Sequence, residues 1–211
     1  STYGIGGHHN YYFSHLLNCI YDCRYCFLQG MYSSANYVFF VNYERFLESM
    51  DETLRQHSGE PVYFFSGYDS DSLALDQVTR FVDTFVPFIR AREHAWMELR
   101  TKSVSIRPLL AHEACERCVV AFSMTPDGIA RALEHKAPPV HQRIRAMSEL
   151  AKAGWPIGLR FDPLIYHDSY RDSYAKLFED VFSSLPSESV HSVSLGPLRF
   201  PKAMAKTIGR L

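Results

Sequence analysis

The sequence predicts an α/β protein folded as a partial (β/α)6 barrel of TIM type. Two observations predict it. Short apolar runs rich in aromatic and β-branched residues alternate six times with segments of helical period. That alternation implies parallel strands joined by crossover helices. The chain also has only 211 residues, and a closed barrel of eight such units needs about 250. A doubly wound open sheet is the competing architecture. In either fold, ligands sit at the carboxyl ends of the strands.

The elements follow in order. Strands are expected at 11–17, 61–65, 95–99, 118–123, 157–161 and 190–195. Between the first two, Tyr43, Phe46, Leu47, Met50 and Leu54 recur on one helical face. Val78, Phe81, Val82, Phe85 and Ile89 do the same before the third strand. Residues 104–112 form a weaker helical pattern. Val140, Ile144, Met147, Leu150 and Ala151 mark the clearest helix, with Gly154 and Pro156 as stop signals. Tyr174, Leu177, Phe178 and Val181 mark the last.

Composition narrows the function. Hydrophobic residues make up 46%, enough for a sizeable core. Lys and Arg number 22 against 23 Asp and Glu, a net charge of −1, which argues against binding nucleic acid through bulk charge. No apolar run is long enough to cross a membrane, and no signal peptide is visible. Five cysteines, an odd number, fit a secreted disulfide scaffold poorly. A reducing cytoplasm and a metal or catalytic role for sulfur are expected instead.

Cys19, Cys23 and Cys26 are spaced C-x3-C-x2-C directly after the first expected strand. Three readings are open. Positions i, i+4 and i+7 are one face of a buried helix. With His15 or a distant ligand, the three thiols make a zinc site in a non-catalytic module. Alternatively, three thiolates hold three irons of a cubane cluster and leave the fourth open.

This cysteine segment resembles the signature of the radical S-adenosylmethionine enzymes. The resemblance implies a [4Fe-4S] cluster whose open iron chelates S-adenosylmethionine. It also implies reductive cleavage of that cofactor to a 5′-deoxyadenosyl radical, and the partial barrel typical of that superfamily. Tyr25 matches the aromatic position that packs on adenine.

Further stretches resemble the spore photoproduct lyase family: CRYCFLQG at 23–30, FVNYERF at 40–46, SDSLALD at 70–76 and RTKS at 100–103. So do AFSM at 121–124, RIRAMSELAKAGWPIGLRFDPLIY at 143–166 and LRFPKAMAKTI at 198–208. The family repairs a UV-induced thymine dimer in spore DNA, so the resemblance implies a lyase acting on such DNA. A reducing electron donor such as flavodoxin or ferredoxin is then needed. By the same resemblance Ser70 contacts the amino group of S-adenosylmethionine, Lys102 its carboxylate and Ser123 its ribose. Asp69, Asp71 and Asp162 fall at the same rim, where a loop cap accounts for them equally well.

Two positions depart from the family. The lyases return a hydrogen atom through a cysteine after strand two and a tyrosine after the third cluster cysteine. Here Tyr68 and Phe27 stand at those positions. Either Tyr68 is the hydrogen donor, or the enzyme acts on a different substrate. Cys115 and Cys118 are expected to be structural, with Cys118 in the core. Gly4, Gly6 and Gly7 suggest a flexible entry segment. Glu134, Lys136 and Arg143 are expected to pair on the surface. Arg160 or Asp162 should face the barrel interior, where an arginine needs an anionic partner.

Arg199, Lys202, Lys206 and Arg210 follow the last acidic residue, Glu188. Residues 189–211 therefore carry +4 against −5 for the rest, a modest basic end. Residues 1–211 are expected to be a single radical S-adenosylmethionine catalytic domain without a C-terminal DNA-binding extension. With no initiating Met, a fragment of a longer protein is the expectation.

Overall fold

The computed structural model describes residues 5–31 and 34–199. Six parallel strands form one sheet: β1 (His9–Tyr12), β2 (Val62–Ser66), β3 (Ala95–Thr101), β4 (Cys118–Ser123), β5 (Ile157–Leu164) and β6 (Val190–Pro197). Their order in space is their order in sequence. A doubly wound sheet reverses direction at a switch point; this one never does, and it curls into a half-barrel.

Among the described residues, five helices of seven or more residues accompany the sheet: α1 (Tyr43–Gln56), α2 (Phe81–Arg90), α3 (Asp127–Leu133), α4 (Val140–Lys152) and α5 (Tyr170–Phe182). β2 and β4 are buried along their whole length, as a sheet covered on both faces requires. Phe81, Phe85 and Ile89 of α2 join Met97 and Leu99 of β3 in the main core. Each such side chain contributes about 1.5–3 kcal/mol by leaving water. α4 stops as its sequence indicates. Gly154 takes φ +88°, and the Trp155 N–H returns to the Leu150 carbonyl at 3.0 Å. Among the described residues, no helix is long and apolar enough to cross a membrane.

Several boundaries differ from expectation. β1 ends at Tyr12, because Leu16–Leu17 turns away to pair antiparallel with Val38–Phe39. Val78 is not on the buried face of α2. It lies exposed on a separate helical turn, Asp76–Thr79, and Arg80 at φ 53° divides that turn from α2. Asp76 Oδ1 then accepts the Val82 N–H at 2.9 Å and starts α2 afresh. The 104–112 pattern yields only the turn Arg107–Leu110, opened by Pro108. In the entry segment, Asn10 Nδ2 donates to the Gly7 carbonyl at 3.0 Å, so this stretch is tied to β1. Gly4 and residues 200–211, with Lys202, Lys206 and Arg210, lie outside the described residues.

Candidate functional site

A pocket of about 420 Å³ opens at the carboxyl ends of the strands. Cys19, Cys23 and Cys26 line it together with Tyr25, Tyr68, Ser70, Lys102 and Ser123, so these eight residues meet there. The cysteine segment is not a helix. Asp22–Cys23 instead pairs antiparallel with Glu134–His135, and the Arg24 N–H donates to the Leu133 carbonyl at 2.7 Å. The cysteine loop is thereby fastened to the end of α3. Burial pushes the Cys19 thiol up to about 12 and Cys23 up to about 11, and raises Cys26 as well. Serving as metal ligands requires these thiols to give up their protons.

Among the described residues, no three His, Cys, Asp or Glu side chains converge as ligands for one metal ion. His15 is fully buried and stacks on Phe81 at 4.0 Å between centroids, in the helix-side core. It is not placed to complete a zinc site with the thiols.

The opposite wall is polar. Ser70 is buried and its Oγ has no hydrogen-bond partner. Beside it, Asp71 ties two loops together. Its Oδ1 accepts the Leu73 and Ala74 N–H groups, each at 3.0 Å, and the Thr101 hydroxyl at 2.6 Å. Its Oδ2 accepts the Lys102 N–H at 2.6 Å. Asp71 is therefore a loop cap, and it fixes Ser70 and Lys102 relative to each other. Ser123 ends β4 and is also buried.

The sequence reading missed what holds Lys102 and Tyr25. Glu134 and Arg143 are not surface residues but fully buried, and only Lys136 is exposed. Arg143 lies three residues after Val140 and four before Met147, on the buried face of α4, which was the available signal. Glu134 accepts from Arg143 Nη2 and the Tyr25 hydroxyl, from the Thr125 hydroxyl at 2.8 Å, and faces Lys102 Nζ at 4.0 Å. Burial opposes its charge, but Lys102, Arg143 and the Tyr25 hydroxyl together hold Glu134 below the usual carboxylate range. Burial likewise opposes charge on Lys102, and nearby Glu134 helps keep it protonated. Lys102 Nζ lies 5.6 Å from the Tyr25 ring centroid.

Arg160 faces the interior as expected, and its partner is protein. Its guanidinium meets both Glu98 oxygens, at 2.7 and 3.2 Å, and Ser192 Oγ at 2.9 Å. A Cβ at position 158 would come within 2.8 Å of Arg160 Nη2, so Gly158 makes room for it. Cys115 and Cys118 are free and buried, and Cys118 opens β4 at the end away from the pocket.

The sequence model of the spore photoproduct lyase family matches residues 9–210. The chain belongs to the spore photoproduct lyase family. Spore photoproduct lyase of Bacillus subtilis is 26% identical over 193 residues, covering 90% of this chain and 56% of the relative. That of a Geobacillus species is 23% identical over 183 residues, covering 86% and 52%. The chain thus spans a little over half the length of the curated relatives it matches. A mutant spore photoproduct lyase solved with AdoMet and dinucleoside spore photoproduct superposes with a TM-score of 0.87 at 21% identity, over 93% of this chain and 59% of that one. anSMEcpe with bound AdoMet superposes at 0.63 with 13% identity, over 92% and 51%. These likenesses show the fold, a partial barrel.

In this member of the spore photoproduct lyase family, the two departing positions lie side by side. Tyr68 is 50% exposed at the pocket mouth. Its ring is 5.4 Å from Phe27 and 5.3 Å from Tyr12, centroid to centroid.

Proposed function

We propose that this chain is the catalytic core of a radical S-adenosylmethionine enzyme, resembling a DNA photoproduct lyase. One observation carries the reading: three thiols, an unpartnered buried hydroxyl and a partly buried ammonium line one pocket at the strand ends. The donor set fits the group. Cys19, Cys23 and Cys26 would hold a [4Fe-4S] cluster with one iron open to S-adenosylmethionine. When bound, the cluster would pass one electron to S-adenosylmethionine, whose C5′–S bond would break to give methionine and a 5′-deoxyadenosyl radical.

The chain's own residues orient the cofactor. The Ser70 hydroxyl has an unfilled hydrogen bond for the amino group. Lys102 supplies a charge-assisted hydrogen bond to the carboxylate. Ser123 would serve the ribose, and Tyr25, held by Glu134, would give its ring to adenine. The substrate of this reading is DNA carrying a thymine photoproduct, and a flavodoxin or ferredoxin supplies the electron.

Tyr68 is the proposed hydrogen donor, in place of the family's cysteine. Its phenolic O–H bond would break as a C–H bond forms on the thymine radical, and the hydrogen atom that restores the phenol would be supplied by the cofactor held at Ser70, Lys102 and Ser123. A second reading keeps the cofactor chemistry and changes the substrate; the altered pair Tyr68 and Phe27 favours it.

Anaerobic turnover of a thymine-photoproduct oligonucleotide in deuterated water tests both. Wild type should return deuterium to the product, and Tyr68→Phe should lose repair at least tenfold while still cleaving S-adenosylmethionine. Unchanged repair by Tyr68→Phe removes Tyr68 as donor. Cofactor cleavage with no repair by the wild type favours the second reading.

A further inference from the structure

Four aromatic rings form a connected row from the end of the sheet to the cysteine loop. Tyr12 and Phe65 are register partners at the ends of β1 and β2 and stack at 5.1 Å, with their planes 29° apart. Tyr12 meets Tyr68 at 5.3 Å, and Tyr68 meets Phe27 at 5.4 Å. All four line the pocket that holds the three thiols.

The row is buried at one end and exposed at its two tyrosines, with Phe27 partly buried. Phe65 is buried at 7%, whereas Tyr12 is 42% and Tyr68 50% exposed. Side chains alternate faces along a strand, so Tyr12 and Phe65 turn inward together, while Tyr11 turns outward toward Phe64 and His57. Leaving two large rings exposed at the pocket forgoes burial energy that packing elsewhere would recover. Arg100, 39% exposed at its side chain, lines the same pocket with its Nε 3.7 Å from Glu98 Oε1.

We infer that this row is a stacking platform for an unpaired nucleobase of the substrate strand. Aromatic rings receive any base by its face, and a nearby guanidinium assists through the phosphate or the ring. A lesion inside duplex DNA reaches the thiol loop only if its nucleotides leave the stack. Tyr12, Tyr68 and Phe27 supply surfaces for the bases so displaced. The inference rests on the reading of the substrate as DNA and adds Tyr12 as a specificity-determining residue.

The test is binding, measured by fluorescence anisotropy on the cluster-loaded chain. The probes are a labelled single-stranded oligothymidylate without any lesion, and an abasic oligomer of equal length and charge. Wild type should prefer the oligothymidylate. Tyr12→Ala and Tyr68→Ala should each weaken it by about tenfold, the size of one lost base stack. Tyr12→Phe and Tyr68→Phe should stay within about twofold, since stacking needs the ring and not the hydroxyl.

Equal affinity for both probes would overturn the platform, because charge alone then explains binding. So would Tyr12→Ala binding like wild type, or Phe variants as weak as the Ala variants. Thermal melting of each variant separates lost stacking from lost folding, and the Phe variants keep the test open if an Ala variant fails to fold. Cleavage of S-adenosylmethionine by Tyr12→Ala, without oligonucleotide, is read alongside. Cleavage at the wild-type rate with unchanged oligothymidylate binding sinks the platform and leaves the proposed function standing. Ring-dependent binding by a wild type that never cleaves the cofactor does the reverse.

Discussion

At the scale of the residue, His15 shows how packing decides what a side chain does. The sequence offered it as a zinc ligand, four residues before Cys19. The fold stacks it on Phe81 and leaves its Nδ1 without a partner. Burial lowers its pKa from 6.5 to about 4. The unfolded chain therefore binds the proton more readily between those values, so stability falls as the pH drops through that window. It is fully regained above pH 6.5. At about 1.4 kcal/mol per unit, the chain should lose about 2 kcal/mol between pH 7 and pH 5 from this group. Urea denaturation of wild type and His15→Phe at the two pH values measures it. The Phe variant keeps the stack and should lose less on acidification; equal losses would assign the acid sensitivity elsewhere.

Arg143 carries a related lesson. An arginine on a helix usually reaches solvent, so the sequence placed it in a surface pair. Its spacing from Val140 and Met147 put it on the buried face instead, where Glu134 neutralises it. The spacing could show that Arg143 is buried but not its partner, because Glu134 arrives from outside α4.

At the scale of the element, the bridge between Asp22–Cys23 and Glu134–His135 fixes the cysteine loop to the loop between α3 and α4. Glu134 stands at that junction and satisfies Tyr25, Thr125 and Arg143 together. Glu134→Ala would leave Arg143 and Lys102 buried without their shared anion. We expect a loss of about 3–5 kcal/mol in denaturant unfolding, the usual cost of removing one partner of a buried pair. The same variant should hold less iron after reconstitution, because the cysteine loop loses its anchor. A stability change below about 1 kcal/mol would show that water replaces the carboxylate.

Helix and strand positions were largely legible, because β2, β4 and α4 carry their own periodicity and stop signals. The boundaries that shifted have local causes. Leu16–Leu17 finds an antiparallel partner, and Arg80 adopts a left-handed turn that Asp76 caps from six residues before Val82. The first depends on a partner beyond the window in which periodicity is read, and the second on a side-chain cap that periodicity does not register.

At the scale of the molecule, the half-barrel explains why residues scattered from Cys19 to Ser123 share one pocket. Parallel strands in sequence order place successive strand ends along one rim, and Ser70, Lys102 and Ser123 each follow or end a strand. That three cysteines, two serines, Lys102 and Tyr25 share a pocket was legible by resemblance and position. The Glu134 network and the Tyr12 row were not, because each joins elements far apart in sequence through side chains with no motif spacing.

The central claim is that the three thiols hold a redox cluster that binds S-adenosylmethionine. Its most direct test is metal and sulfide analysis of anaerobically reconstituted protein, followed by reduction with S-adenosylmethionine present. The account predicts about four irons and four sulfides per chain, with release of 5′-deoxyadenosine. Replacement of Cys19, Cys23 or Cys26 by Ala should abolish that release. One zinc per chain, no sulfide and no cofactor cleavage would contradict it.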